Sequence, residues 1–224
     1  MTDIDLDAQR RELTQAMLAH VPFDGWSWAA LHAAAADLGL DRVDAANAFP
    51  EGPTGAISVF STEADYAMLV ALEEHDLEAM RVRDRILTAI RVRLEQNEAH
   101  TEAIRRALST LALPGNAAQG TRLLYRTVDA VWSAAGDTSV DFNFYSKRAI
   151  LAGVYSATLM YWLEDGSEGH EATWRFLEKR LDESVQIGGA LGRQVKAVAA
   201  VPGRIARMLP EFGGRRRSFA DLAD

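Results

Sequence analysis

Five histidines, His20, His32, His75, His100 and His170, are the side chains of this 224-residue chain best suited to moving a proton or holding a metal near neutral pH. No two of them lie three or four residues apart, and neither H-E-x-x-H nor E-x-x-H occurs, so no helix offers a metal-ligand pair of that kind. There is no cysteine, which removes thiolate nucleophiles, disulfides and cysteine-held metals together. G-x-S-x-G, the P-loop and G-x-G-x-x-G are also absent. These absences lead us to expect a protein that is not an enzyme, with no catalytic residue, no metal and no cofactor.

Two stretches carry chemistry suited to binding. In DFNFYSKR, Asp141 to Arg148, aromatic and charged groups stand side by side, a mixture that fits a contact surface better than a core. Farther on, Ile187, Leu191, Val195, Val198, Val201, Ile205 and Met208 advance by three or four, while Arg193, Lys196, Arg204 and Arg207 fall off that stripe. A basic amphipathic helix of this kind either lies in a membrane interface, cations near anionic head groups, or covers the bundle as its last helix. Pro202-Gly203 kinks or splits it.

Charge divides the chain unevenly. Residues 1–80 hold three arginines against fifteen carboxylates, a net −12 out of a total of −8, so the remainder is net positive. Seven bases face Glu211 alone between 193 and 217. An acidic head and a basic tail imply different partners.

Apolar residues repeat with the helical period almost throughout, and no long alternating run occurs, so the predicted fold class is all-α. Predicted helices run from Leu6 to Leu18, from Trp28 to Leu38 with Ser27 as cap and Gly39 as stop, and from about Asp41 to Phe49. Residues 51–61 read as a connector. Thr62 and Asp65 read as a capping box that opens a long helix with Tyr66, Leu69, Val70, Leu72, Leu77 and Met80 repeating at three and four. Helices come next over Arg81–Gln96, whose charged outer face reads as solvated, Thr101–Leu113, Thr121–Ala135 and His170–Ile187. Ala149 to Leu163 has only Ser156 and Thr158 as polar side chains, so that helix reads as buried on every side, with Thr138 and Asp141 as its cap. Trp132, Tyr155, Trp162 and Trp174 beside many alanines and glycines either interdigitate into a dense core or enclose an apolar cavity.

The three short leading helices, with ADLGLDRVDAANAF filling the turn and third helix, resemble the helix-turn-helix head of TetR-type regulators. A DNA reader needs cations around that third helix. Here it carries Asp41, Asp44 and a single Arg42, so nucleic acid is not expected as a partner, and a ligand-responsive TetR-type regulator stays as the alternative reading.

DFNFYSKRAILAGVYSATLMYWLED, then GHEATWRFLEKRLDESVQI, is similar to the C-terminal domain of the Coq-nine family of ubiquinone biosynthesis accessory proteins, and HVPFDGWSWAAL agrees. The resemblance implies a TetR-like helical bundle: a helix-turn-helix-like head over 1–60, a ligand-binding body over 61–187 with a Coq-nine-type part at about 115–187, an amphipathic helix over 188–209 and a basic tail over 210–224. It implies an isoprenoid lipid or phospholipid held in the body, for which Leu124, Val128, Val131, Trp132, Ile150, Val154, Thr158, Trp162, Trp174 and Leu177 are the expected walls. It implies membrane contact through Leu191, Arg193, Val195, Lys196, Val198, Arg204, Ile205 and Arg207. The family's patch for a ubiquinone-pathway hydroxylase, D-x-x-W-Y-x-x-R, is matched at Asp141, Tyr145 and Arg148, with Phe144 in the tryptophan's place. TetR-like bodies imply a homodimer. An N-terminus with neither a signal-peptide nor a transit-peptide pattern leads us to expect a bacterial protein of the cytoplasm, peripheral on the inner face of the cytoplasmic membrane.

Overall fold

Turn chemistry sets where the leading helices begin and end. The computed structural model describes residues 3–137 and 142–184, with side chains over 6–137 and 145–184. Helix α1, Asp3–Met17, turns Leu13 and Met17 inward and leads to a single turn, α2, Val21–Asp24. Ser27 caps α3, Trp28–Asp37, by accepting from the Ala30 amide at 3.4 Å. The chain leaves α3 through Gly39 at φ +71°, a left-handed conformation that favours glycine. Asp41 opens α4, Arg42–Ala48, by accepting from the Val43 and Asp44 amides, while Asp44 accepts from the Asp41 amide in return.

These helices close a first core around Leu13, Met17, Trp26 and Leu31, in which Ala30, Ala34, Ala35, Ala45 and Ala48 let the backbones approach. The core is completed from much later in the chain by Ala103, Ala107 and Leu123. The indole of Trp26 donates to the Ala103 carbonyl at 2.9 Å.

The body differs from its prediction at α5. Residues 54–61 are not a connector: α5 runs Thr54–Leu72, entered through Gly52 and Pro53. Thr62 is mid-helix and donates to the Ser58 carbonyl, so Thr62 and Asp65 form no cap there. The inward register is Ile57, Ala64, Asp65, Met68 and Leu72, whereas Tyr66, Leu69 and Val70 face outward, and the helix stops at Leu72, short of the expected Leu77 and Met80. A start moved up by two turns carries the buried face with it. Then come α6, Val82–Glu95, α7, Thr101–Leu111, α8, Ala117–Ala134, α9, Phe142–Glu164, and α10 over 171–184. Gly120 on α8 sits so close to Leu111 that an added Cβ meets it at 3.2 Å, which lets α7 and α8 come together.

A second core gathers Met68, Ile90, Leu94, Val128, Val131, Leu151, Trp162, Trp174 and Leu177 from α5, α6, α8, α9 and α10. Helix α9 is not buried all round: Ala149, Gly153, Ala157, Met160 and Tyr161 are exposed, and Leu151, Val154, Tyr155, Thr158, Leu159 and Trp162 are buried. An apolar sequence lets every side be covered, but small residues on the uncovered side make exposure cheap. Asp165 anchors the turn into α10, accepting from the Thr173 hydroxyl at 2.6 Å, the Thr173 amide at 2.8 Å and the Ser167 amide at 2.9 Å. The Thr173 bonds, with those from Ser167, hold its carboxyl well below the usual carboxylate range. No helix of the described residues is long and apolar enough to cross a membrane.

Candidate functional site

The helical register of α6 brings Arg93 inside. Ile86, Ile90, Arg93 and, just beyond the helix, Asn97 succeed one another at three and four residues, and all are buried. On α5 the same spacing carries Ser61, Asp65 and Met68 toward them. Arg93 Nε donates to Asp65 Oδ1 at 2.8 Å and Arg93 Nη1 to the Tyr155 hydroxyl at 2.6 Å. The Thr127 hydroxyl donates to Asp65 Oδ1 at 2.9 Å, and the Asn97 side-chain amide to the Arg93 carbonyl at 2.8 Å. The expectation of a solvated charged face over residues 81–96 is corrected at Arg93, because its charge lies on the apolar register and has a buried partner.

Burial opposes the Arg93 charge, but Tyr155 and Asp65 outweigh it and hold the guanidinium above the ordinary arginine value. Burial pushes the Tyr155 phenol up, which keeps it protonated. This cluster forms part of the wall of a cavity of about 270 Å³. The rest of the wall is apolar apart from Ser61 and Ser156: Ile57, Phe60 and Ala64 of α5, Ile104, Ala107, Leu108 and Leu111 of α7, Gly120, Leu123 and Leu124 of α8, and Leu159 and Met160 of α9. Met160 is 59% exposed, whereas Arg93, Thr127 and Tyr155 are buried, so the polar groups occupy the enclosed part. Such a space, apolar with a few converging donors, suits a small ligand that is mostly hydrocarbon.

Of the residues expected to hold a lipid, Leu124 lines this cavity. Val128, Val131, Val154, Thr158, Trp162, Trp174 and Leu177 are buried in the body core around it, and Trp132 and Ile150 are half-buried. Sequence reasoning names Tyr155 among the rings that could enclose a cavity, and it lines this one, but does not select Arg93, Asp65 or Thr127 for the site; their positions on the inward registers of their helices are the available signal.

The expected docking surface divides. Tyr145 is 69% exposed, while Arg148 is 6% exposed and donates from Nε to Asp129 at 2.7 Å and from Nη1 to Asp137 at 3.3 Å, tying α9 to α8. Lys147 also reaches Asp137, at 2.8 Å, and lies 5.4 Å from the centre of the Trp132 ring. Asp141, the Thr138 cap and the Phe144 side chain lie outside the described residues, as do Leu191, Arg193, Val195, Lys196, Val198, Arg204, Ile205 and Arg207 of the expected membrane helix.

A family model described as COQ9 matches residues 117–188. The chain is 36% identical to a rat (Rattus norvegicus) protein named ubiquinone biosynthesis protein COQ9, mitochondrial, over 84% of this chain and 62% of that protein. The human (Homo sapiens) protein of the same name is 36% identical over 84% and 61%. A Xenopus laevis protein named ubiquinone biosynthesis protein COQ9-B, mitochondrial, is 33% identical over 86% of this chain and 68% of its own length. The chain thus spans about three fifths of the rat and human relatives. Among solved structures, a TetR transcriptional regulator from Nitrosomonas europaea ATCC 19718 matches with TM-score 0.64 and 19% identity, over 79% of this chain and 98% of that one, which shows the TetR-like all-α fold.

The expected bacterial location at the cytoplasmic membrane is overturned by these relatives, which are mitochondrial by name. That expectation rests on how the sequence begins, and a chain spanning three fifths of its relatives is no guide on that point. With a third of the aligned residues identical to those of a relative that it covers over two thirds of its length, the chain belongs to the COQ9 family.

Proposed function

We propose that the chain is a non-catalytic accessory protein of ubiquinone biosynthesis that holds an isoprenoid-type lipid in the cavity between α5, α6, α7, α8 and α9. The observation that carries this reading is the cavity itself, with its apolar wall and one buried cluster of donors, in a family whose relatives bear ubiquinone biosynthesis in their names. Water cannot carry a long isoprenoid, so an enzyme acting on one needs its substrate lifted out of a bilayer or shown at its surface. A binding protein supplies that step without chemistry of its own.

The reading includes presentation to a pathway hydroxylase, with Tyr145 as the exposed aromatic of the docking surface, and membrane contact through the basic stretch 191–207. It includes a homodimer, supported by the row Ala149, Gly153 and Ala157 that α9 leaves uncovered; an added Cβ at Gly153 meets nothing within 4 Å. Nucleic acid has no part in it, because the outer side of α4 offers Arg42 as its cation beside Asp41 and the surrounding head is strongly acidic.

Mass spectrometry of organic extracts of the purified protein tests the lipid reading: isoprenoid or phospholipid is expected at near-stoichiometric amounts. A lipid-free protein that also takes up none from vesicles overturns it. Sedimentation of the same preparation reads the dimer.

A further inference from the structure

The cavity's enclosed donors are not arranged as a charge trap. Asp65 lies 2.8 Å from Arg93 Nε and takes up its charge inside the protein, and Arg126, which approaches Asp65 at 3.4 Å, is 41% exposed and screened by solvent. What faces the cavity is hydrogen-bond donors. Among the described residues Arg93 Nη2 has only Ser61 Oγ and Thr127 Oγ1 as acceptors, both at 3.4 Å, and the Thr127 proton is already given to Asp65. Tyr155 Oη accepts from Arg93, so its own proton remains to be donated, and among the described residues it has no acceptor. Arg93 and Tyr155 are 8% and 5% exposed and both line the cavity.

We propose that Tyr155 and Arg93 receive the oxygen of a neutral, ring-bearing head group, a quinone-type carbonyl, so that the lipid enters head first and its tail leaves past Met160. The proposal rests on the lipid reading above and adds an orientation and a selectivity to it. A pure hydrocarbon leaves the buried Tyr155 proton without an acceptor and Arg93 Nη2 with its two long bonds to Ser61 and Thr127 alone. A carboxylate or phosphate head has to compete with Asp65 for a cation that is already paired. A carbonyl oxygen has two lone pairs, accepts from both donors and brings no charge. Size agrees: about 270 Å³ lies just below the usual span for small-molecule pockets, roughly 300 to 1,000 Å³, room for a head group and the first carbons of its chain but not for a long isoprenoid. Burial of the Tyr155 phenol, which raises its pKa, keeps the donor proton in place at neutral pH.

The test uses the full chain and three probes with the same ten-carbon tail: a decyl-substituted benzoquinone, decylbenzene and 4-decylbenzoate. Titration calorimetry of the wild type is expected to give affinity about tenfold higher for the quinone than for decylbenzene, the size of one or two net hydrogen bonds. Tyr155→Phe is expected to lose about tenfold on the quinone and stay within about twofold on decylbenzene. Infrared spectra of the bound quinone are expected to show a carbonyl stretch moved to lower frequency in the wild type and moved back in Tyr155→Phe. Equal loss on both neutral probes, an unshifted carbonyl or tighter binding of the benzoate overturns the proposal. If the wild type binds quinone and decylbenzene equally, the head-group receptor falls while the lipid reading stands; if it binds neither, both fall. Should Tyr155→Phe fail to fold by circular dichroism, the carbonyl stretch in the wild type decides.

Discussion

Around Leu31 and Trp26 the interior is filled by apolar side chains and a run of alanines, with Thr14 its buried hydroxyl; around Arg93 the body encloses an ion pair, two further hydroxyls, a carboxamide and a cavity. The two cores share α5, α7 and α8, so they meet the same solvent and the same chain constraints. The first does what a core is needed for. The second carries polar groups that packing does not require, since apolar residues of like volume usually hold a fold as well as a buried ion pair does. On the lipid reading proposed above, the difference separates a region kept for shape from a region kept for a ligand.

The contrast between the two cores breaks first at the ion pair. Arg93→Met leaves buried Asp65 with only the Thr127 hydroxyl and the long contact to half-exposed Arg126, and is expected to cost about 3 kcal/mol in denaturant unfolding, the low end for a broken buried pair. The double variant Asp65→Leu with Arg93→Met is expected to recover most of that stability while losing the preference for quinone over decylbenzene. A single variant that costs under about 1 kcal/mol would mean water already reaches the cluster. Next come two leucines. Leu31→Ala, in the filled core at 0% exposure, is expected to cost about 2 to 5 kcal/mol, and Leu159→Ala, at the cavity wall, clearly less, because part of its surface already faces empty space. Equal costs would show the cavity closed in solution.

The smallest effect is in acid. Asp165 has a depressed pKa when folded, so it binds its proton less readily in the native than in the unfolded protein. Its contribution is therefore full above the unfolded value of about 4 and fades as pH falls toward the folded value. Melting temperature tracked from pH 5 to pH 2 is expected to fall less steeply in Asp165→Asn than in wild type. This carboxylate stands at the entry to α10, so the effect belongs to the body and leaves the first core out of account.

Much of the first region is legible in the sequence because its signals are local: Ser27 and Asp41 cap the helices they open, and Gly39 ends the helix before it. The body is legible as helices but not as faces. Asp65 resembles a cap because an acid three residues after a threonine satisfies a short-range pattern, whereas the residue it pairs with is 28 positions away. Arg93 looks solvated because charge is assigned outward by default; only its three- and four-residue spacing from Ile90 and Asn97 speaks for the inside. Arg148 shows the converse. A family motif marks it for contact with a partner, but Asp129 and Asp137 pair with it within the chain, a pairing across helices that no spacing within α9 announces.

Helix α7 stands where the two regions meet. Ala103 and Ala107 belong to the filled core, Ile104 and Leu108 to the body, and Trp26 is hooked to its backbone. It is a party wall, finished on both sides, with Arg105 and Arg106 left to face outward toward Glu164 and Glu102. The packed head thus backs, from the far side of α7, the wall that Ile104, Leu108 and Leu111 give the cavity.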